Sequence, residues 1–281
     1  MRIHVLLACH DRRALTVRAL RSMRASLDRA GIEAAFTLFD DGSVDGTAEA
    51  VAELPFAVEV VHGDGDAFWA RGMSLAERAA DARGPRDAVV WLNDDVDVDL
   101  DAMERLVALA EQHPDAVLVG SVREDDGAVS YSGYRRAGRH PLRLRQVDPG
   151  EAPTDLDTFN GNLLLVPEGV RRVVGSIDGG FAHQLADIDY GFRVRDAGRR
   201  VLLAPGTYGT CPTNPPPRPR PLLAEWRAFR SPKGGGHPAS MRRFLRRRAP
   251  VAWPVWVAQT AVLWWVRALL RRVRLSRAST Q

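Results

Sequence analysis

The sequence predicts an α/β protein with a Rossmann-like, mostly parallel sheet flanked by helices, followed by a basic, partly helical C-terminal extension. Three observations carry that expectation. Between residues 3 and 120, short apolar runs alternate with segments of helical periodicity, and crossovers of that length favour parallel, right-handed βαβ pairing. Three of the first four apolar runs end in acids, at Asp11, Asp40-Asp41 and Asp94-Asp95. Beyond residue 217 the charge balance reverses: 24 Arg face 34 Asp plus Glu before it (net −10), and 14 Arg plus Lys233 face Glu225 alone after it (net +14).

Each element follows from its residues. Ile3 to Ala8 forms a first strand. A helix over 12–29 carries Leu15, Ala19, Leu20, Met23 and Leu27 on one face, with Gly31 as its stop. Residues 35–39 make a second strand, closed by the tight turn Asp40-Asp41-Gly42-Ser43 and followed by a helix over 48–53. A third strand spans 58–61, and a Gly/Asp loop leads through Trp69-Ala70-Arg71-Gly72 to a helix near 73–82. Val89-Val90-Trp91-Leu92 is uniformly apolar and predicts a fully buried strand, with Asn93-Asp94-Asp95-Val96-Asp97 at its end. A helix over 99–112 and a strand over 116–120 complete the alternation. From 121 to 157 the pattern breaks into an antiparallel strand near 129–134 and a surface hairpin or loop. Asn160-Gly161-Asn162 is a turn into a second buried strand, and Pro167 sits where a helix would begin. A segment over 183–197 carries Asp187 and Asp189, the latter spaced to pair with Arg193, and ends at Gly198. Residues 201–204 form the last strand. The proline-rich stretch 213–221 marks a boundary, so the expected division is a globular unit over 1–212 and an extension over 213–281.

In an open α/β sheet, ligands bind outside the carboxyl ends of the strands. Carboxylates gathered there repel one another unless a ligand or cation neutralises them. A hard divalent ion such as Mg²⁺ or Mn²⁺, holding a diphosphate, suits those oxygens; an acidic turn before a helix N-terminus is the plainer alternative. No G-x-G-x-x-G loop, Walker A loop or G-x-S-x-G elbow is present, which excludes the common dinucleotide, P-loop and hydrolase versions of such a sheet. Two cysteines, Cys9 and Cys211, exclude a disulfide framework and a four-cysteine zinc site. Met1-Arg2 leads straight into a strand without a signal-peptide pattern, so a cytoplasmic location is expected.

Six segments together resemble bacterial family 2 glycosyltransferases of the GT-A fold. They are Ala8-Cys9-His10-Asp11-Arg12, Phe39-Asp40-Asp41-Gly42-Ser43, Trp69-Ala70-Arg71-Gly72-Met73, Leu92-Asn93-Asp94-Asp95-Val96, Phe159-Asn160-Gly161-Asn162 and Asp187-Ile188-Asp189-Tyr190-Gly191-Phe192-Arg193, in family order. The resemblance implies an inverting enzyme that moves a hexosyl- or deoxyhexosyl-type sugar from a nucleoside-diphosphate sugar to a glycan or lipid-linked acceptor, as in polysaccharide or cell-envelope synthesis. It implies Asp187 as the catalytic base and Asp95 as ligand of a divalent metal, Mg²⁺ or Mn²⁺. Asp11 and Asp41 would line the base pocket, Arg71 would meet the nucleotide or its phosphates, and Asn93 and Asp94 would support metal, ribose or sugar. Trp69, Asn160, Gly161, Asn162 and His183 would touch acceptor or sugar; Trp69 and Phe159 could form stacking walls, with buried core aromatics the default for such residues. One departure stands out: many members carry a metal-binding His after the last strand, where this chain reads Gly206-Thr207-Tyr208-Gly209-Thr210-Cys211. A sugar-phosphate nucleotidyltransferase, and a membrane-associated binding or scaffold protein with a degenerate site, are the competing readings.

The extension has its own chemistry. The apolar run from Val251 to Val266 is 16 residues long, short of the roughly 20 needed to span a bilayer. Arginine flanks it, and Trp253, Trp256, Trp264 and Trp265 punctuate it. That composition predicts a helix lying on an anionic membrane surface through residues 241–277, peripheral at the inner face of the cell membrane, with packing against the globular unit as the alternative. No nucleic-acid partner is expected.

Overall fold

The computed structural model describes residues 1–213 and 220–278, with side chains through Arg272. In chain order the elements are β1 (Ile3–Cys9), α1 (Arg13–Arg29), β2 (Ala34–Asp40), α2 (Thr47–Ala52), β3 (Glu59–His62), α3 (Phe68–Asp81), β4 (Ala88–Leu92), β5 (Asp97–Val98), α4 (Ala102–Gln112) and β6 (Ala116–Arg123). A short-stranded region follows: β7 (Val129–Tyr131), β8 (Gly133–Arg136), β9 (Leu144–Val147), β10 (Thr154–Asp155) and β11 (Thr158–Phe159). Then come β12 (Leu163–Pro167), α5 (Glu168–Val174), α6 (Ala186–Asp196), β13 (Arg200–Thr210), α7 (Leu222–Arg230), α8 (Pro238–Arg248) and α9 (Trp253–Ala278).

The main sheet runs β10-β13-β6-β12-β4-β1-β2-β3, with β5 and β7 attached to β13 and β6. β1 pairs parallel with β2 and β4, and β2 parallel with β3, so their carboxyl ends share one edge. β12 runs antiparallel to β4 and β6, and this makes the sheet mostly rather than wholly parallel. That antiparallel register sets Leu163 opposite Leu92, which lays the start of β12 beside the end of β4. A separate three-stranded sheet, β11-β8-β9, stands over the same edge region.

Because strand side chains alternate, the sheet buries both faces. Val5, Leu7, Val90 and Leu92 meet α1, α2 and α4 on one side. Leu6, Ala8, Val89 and Trp91 meet α3, α5, α6 and α8 on the other. Trp91 is fully buried and packs edge-on against Trp69 and Phe159 and obliquely on Tyr190. Phe159 is therefore a core aromatic, the default for such a residue, and not a stacking wall.

Three elements differ from their sequence expectation, each for a local reason. α3 begins at Phe68 rather than near 73, because the Asp41 carboxylate accepts from the N–H groups of Gly65, Ala67 and Phe68 and caps the helix from a neighbouring strand. α6 begins at Ala186, because Leu185 before it adopts a left-handed conformation (φ 77°). His183 consequently precedes the helix and does not share a helical face with Asp187. β13 extends to Thr210 through Pro205 by shifting its register on β6 after Leu203 and again after Thr207. The expected proline-rich boundary falls largely on 214–219, outside the described residues.

The extension is joined to the second core. Met241, Phe244 and Leu245 of α8 are buried there, and Trp253 and Trp256 of α9 pack against it. Trp264 and Trp265 cluster with Trp226 and Phe229 of α7. The four tryptophans expected as interfacial anchors are thus spent on the protein's own packing. Among the described residues no helix is long and apolar enough to cross a membrane.

Candidate active site

A cavity of about 720 Å³ opens at the carboxyl edge of β1, β2 and β4, where acids had been expected to gather. Its lining includes Arg12, Asp41, Trp69, Asn93, Asp94, Asp95, Asn160, Gly161, Asn162, His183 and Asp187. Among the described residues three non-glycine positions have left-handed φ: Asp11, Phe68 and Leu185. They lie just before or at the starts of α1, α3 and α6, the helices whose N-terminal ends carry Arg12, Trp69 and Asp187 to the cavity. Such backbone costs on the order of 1–3 kcal/mol at each position and persists where surrounding structure over-determines it.

One wall is ionic. The Arg12 Nη1 donates to Asp94 Oδ1 at 3.0 Å and to Asp95 Oδ2 at 2.7 Å. Asp94 is buried, and burial pushes its carboxyl up to about 6 despite the pull of Arg12, with Asp95 adding to the rise. The end of strand β13 pairs with β5 and places the next residue, Cys211, so that its Sγ lies 3.5 Å from Asp95 Oδ1 and donates to it. Burial and the nearby Asp95 raise that thiol, so it stays protonated.

A second wall is a hydrogen-bonded chain. The Trp69 indole N–H donates to Asn93 Oδ1 at 2.9 Å, and Asn93 Nδ2 donates to Asn162 Oδ1. The backbone N–H of Asn93 also bonds the Asn162 carbonyl, a direct consequence of the β4–β12 register. The ring of Trp69 is held in one orientation by this chain. Three buried polar atoms of the lining lack a protein partner: Asn160 Oδ1, Asn162 Nδ2 and His183 Nδ1. Buried polar groups are nearly always satisfied, so unpartnered atoms gathered at one cavity point to a polar ligand.

Asp187 lies in the first turn of α6. Its Oδ2 accepts from the Gly161 N–H at 3.1 Å and its Oδ1 from the Ile188 N–H at 2.8 Å. Burial nonetheless raises it to about 6, which these two hydrogen bonds only moderate. Gly161 is required by space: a Cβ there would lie 2.8 Å from the Trp69 ring and 3.4 Å from the Asp187 Cβ. His183 is lowered to about 4 by burial, with Lys233 and Arg12 adding to the effect, so the imidazole is neutral near pH 7.

Two of the expected donor contacts are absent from this lining. Asp11, partly exposed with φ 51°, turns its carboxylate to the Val44 N–H at 2.8 Å and ties two loops together. Arg71 lies two residues after Trp69 on α3, on a different side of the helix, and is exposed. Asp41 does line the cavity, but both its oxygens already cap α3. Asp189 is the structural acid its spacing predicted: fully buried, it accepts from Arg193 Nε at 3.0 Å. Arg12, Tyr131, Cys211 and Lys233 line the cavity without having been singled out as site residues. Arg12 had a legible signal, its place beside Asp11 at the first strand end; the other three are brought in by long-range packing that no local pattern encodes.

Among the described residues no group of three or more His, Cys, Asp or Glu side chains is arranged to hold a metal ion. The adjacent Asp94 and Asp95 carboxylates are nevertheless hard oxygen donors of the kind Mg²⁺ and Mn²⁺ take, and they fit an ion completed by ligand oxygens and water. Arg12 supplies a positive charge at the same oxygens. Cys211, neutral and soft, is a poor third ligand.

The family model described as "Glycosyl transferase family 2" matches residues 5–162. No curated protein matches the sequence. Among solved structures, residues 1–349 of S. aureus TarS superimpose with a TM-score of 0.55 at 12% identity, covering 75% of this chain and 60% of that one. The same fragment in complex with UDP-GlcNAc gives 0.55 at 12% identity, covering 77% and 60%. GalNAc-T7 with UDP, GalNAc and Mn²⁺ gives 0.52 at 14% identity, covering 74% and 44%. At such identities the likeness establishes the fold, and the chain spans less than two thirds of these structures.

Proposed function

The chain belongs to glycosyl transferase family 2, and on that premise we propose that it moves a sugar, with inversion, from a nucleoside-diphosphate sugar to a hydroxyl of a glycan or lipid-linked acceptor. The observation that carries this reading is Asp187. A carboxylate raised to about 6 shares one cavity with the Asp94–Asp95–Arg12 wall, so a base and a diphosphate-binding wall face a common space. A base of that pKa is largely ionised at neutral pH and still strong enough to take a proton in a transition state.

In this reading the diphosphate lies against Arg12 and the Asp94–Asp95 carboxylates. Asp95, with Asp94, would hold a divalent ion whose chemistry is to offset the charge developing on the leaving diphosphate. The neighbour solved with UDP, GalNAc and Mn²⁺ supports a divalent ion in this reading. Trp69, its ring fixed by Asn93, offers an apolar face for a sugar. Asn160, Asn162 and neutral His183 supply polar atoms for sugar or acceptor hydroxyls, and Gly161 keeps the space open. Asp187 takes the acceptor proton while the acceptor oxygen bonds the anomeric carbon and the bond from that carbon to the diphosphate breaks.

The test is a panel of nucleotide sugars, UDP-sugars first because the TarS fragment was solved with UDP-GlcNAc, with Mg²⁺ or Mn²⁺ and products identified by mass spectrometry. Binding of at least one donor is expected, and Asp187→Asn should lose turnover while keeping donor affinity. Absence of binding across UDP-, dTDP- and GDP-sugars sinks the proposal. An Asp187→Asn protein with unchanged turnover removes Asp187 from the role of base.

A further inference from the structure

The packing of α9 leaves an unusual surface. One side of the helix carries Trp253, Trp256, Trp264 and Ala268 toward the protein. The other carries Val255, Val262, Leu263, Val266, Leu269 and Leu270, which are 38% to 65% exposed. Spacings of three, four and seven return to the same side of a helix, so these six residues form one continuous stripe. From Val255 to Leu270 it runs about 22 Å at 1.5 Å per residue. Val251, 93% exposed, lies in the turn just before the helix.

Both ends of the stripe are basic. At its beginning Arg246 of α8 lies over the Trp253 ring at 5.5 Å, and exposed Arg242 is one turn away on the same side of α8. Arg242, Arg243, Arg246 and Arg247 line a cleft of about 380 Å³ there. Arg243 and Arg247 are paired with Asp178, and Arg247 also with Asp189. Toward the far end stands exposed Arg267; Arg271, also exposed, is paired with Glu225 of α7 at 3.7 Å. Pairing this stripe with a second copy would set arginine against arginine whether the two helices ran parallel or antiparallel. An anionic lipid surface satisfies both features together: its boundary takes the apolar stripe and its phosphates take the arginines.

We propose that α9 docks this protein on an anionic bilayer, with the Val255–Leu270 stripe in the headgroup–acyl boundary and Arg242, Arg246 and Arg267 on lipid phosphates. The tryptophans of this region hold α9 to the protein, and the valines and leucines meet the lipid. This is a surface contact, and it stands independently of the donor chemistry.

The test uses the full chain in vesicle flotation, with phosphatidylcholine vesicles prepared with and without phosphatidylglycerol. Flotation is expected only with the anionic lipid and should weaken as salt rises. The triple variant Val262→Asn/Val266→Asn/Leu269→Asn changes exposed positions, so it should melt like the parent while the floated fraction falls about tenfold. Arg242→Gln/Arg246→Gln should lose the preference for phosphatidylglycerol. The proposal is overturned if the parent fails to float, if the triple variant floats undiminished, or if sedimentation shows a dimer that the triple variant dissolves without any vesicle binding. A gel shift with nucleic acid at salt that abolishes flotation also overturns it.

Discussion

Asp187 shows how one side chain is tuned by what surrounds it. Burial lifts it to about 6, and among the described residues no cation is paired with it to bring it down. Turnover should therefore rise with pH through about 6 with a slope of one proton, read from kcat/KM profiles; a profile flat from pH 5 to 8 would dissociate Asp187 from the chemistry. The stability sign is the reverse of an ordinary paired carboxylate. The folded pKa lies above the unfolded value of 3.8, so ionisation costs stability as pH rises from about 4 to about 6, and the full cost remains above that. Two pKa units set that cost at ~3 kcal/mol or less. Asp187→Asn should accordingly raise the Tm at pH 8 and leave it unchanged at pH 4. Gly161→Ala, whose Cβ would meet the Trp69 ring at 2.8 Å, should displace that ring or Asp187 and cut kcat/KM by about 10²-fold with the fold retained. Arg12 and a divalent ion compete for the same carboxylate oxygens. Arg12→Ala should then bind Mn²⁺ more tightly in the absence of donor, measured by the electron paramagnetic resonance of free Mn²⁺.

At the scale of elements, α8 is held by both apolar and ionic contacts. Phe244 is fully buried against Phe192 of α6. Phe244→Ala should cost about 3–5 kcal/mol in denaturant unfolding, the range for truncating a large core aromatic. A cost below ~1 kcal/mol would show that α8 is not part of the cooperative unit. The ionic clamp at Asp178 is pH-dependent with the ordinary sign. Burial pushes its carboxyl up, but Arg243, the Gly180 N–H and Arg247 together hold it at about 2. Its contribution is thus complete above about 4 and fades as pH falls toward 2. Arg247 also reaches Asp189 of α6, so the ionic contacts tie α8 to α6, and Lys233, on the segment between α7 and α8, lines the cavity with its carbonyl accepting from the Gln184 side chain.

At the scale of the molecule, a filled cavity should stabilise the whole fold, because a ligand that binds only the folded state shifts the unfolding equilibrium. A bound donor at about 100 times its Kd should add ~2.7 kcal/mol, a Tm rise of several degrees in a thermal melt. The alternating faces of β1 and β4, the uniform burial of β4 and the acids at three parallel strand ends were all legible in the sequence, since side-chain period and apolar runs are local quantities. So were Asp187, Asn93 to Asp95 and the Asn160–Asn162 turn, through their place in a recognisable order of segments. The left-handed Leu185, which starts α6 late and leaves His183 outside the helix, was not legible, nor was the remote cap by Asp41 that lengthens α3. That cap depends on a partner 24 or more residues away. The tail divides the same way: its composition announced an amphipathic, basic helix, but only packing decided that the tryptophans turn inward with Val257 while Val255, Val262 and Val266 turn outward. Sequence by itself determined the sheet, its ligand edge and the family of the chain, because these rest on periodicity and motif order. Tertiary structure decided that Arg12 neutralises Asp94 and Asp95, that Cys211 stands beside Asp95, and which face of α9 is open, because each is a contact between segments the chain itself keeps apart.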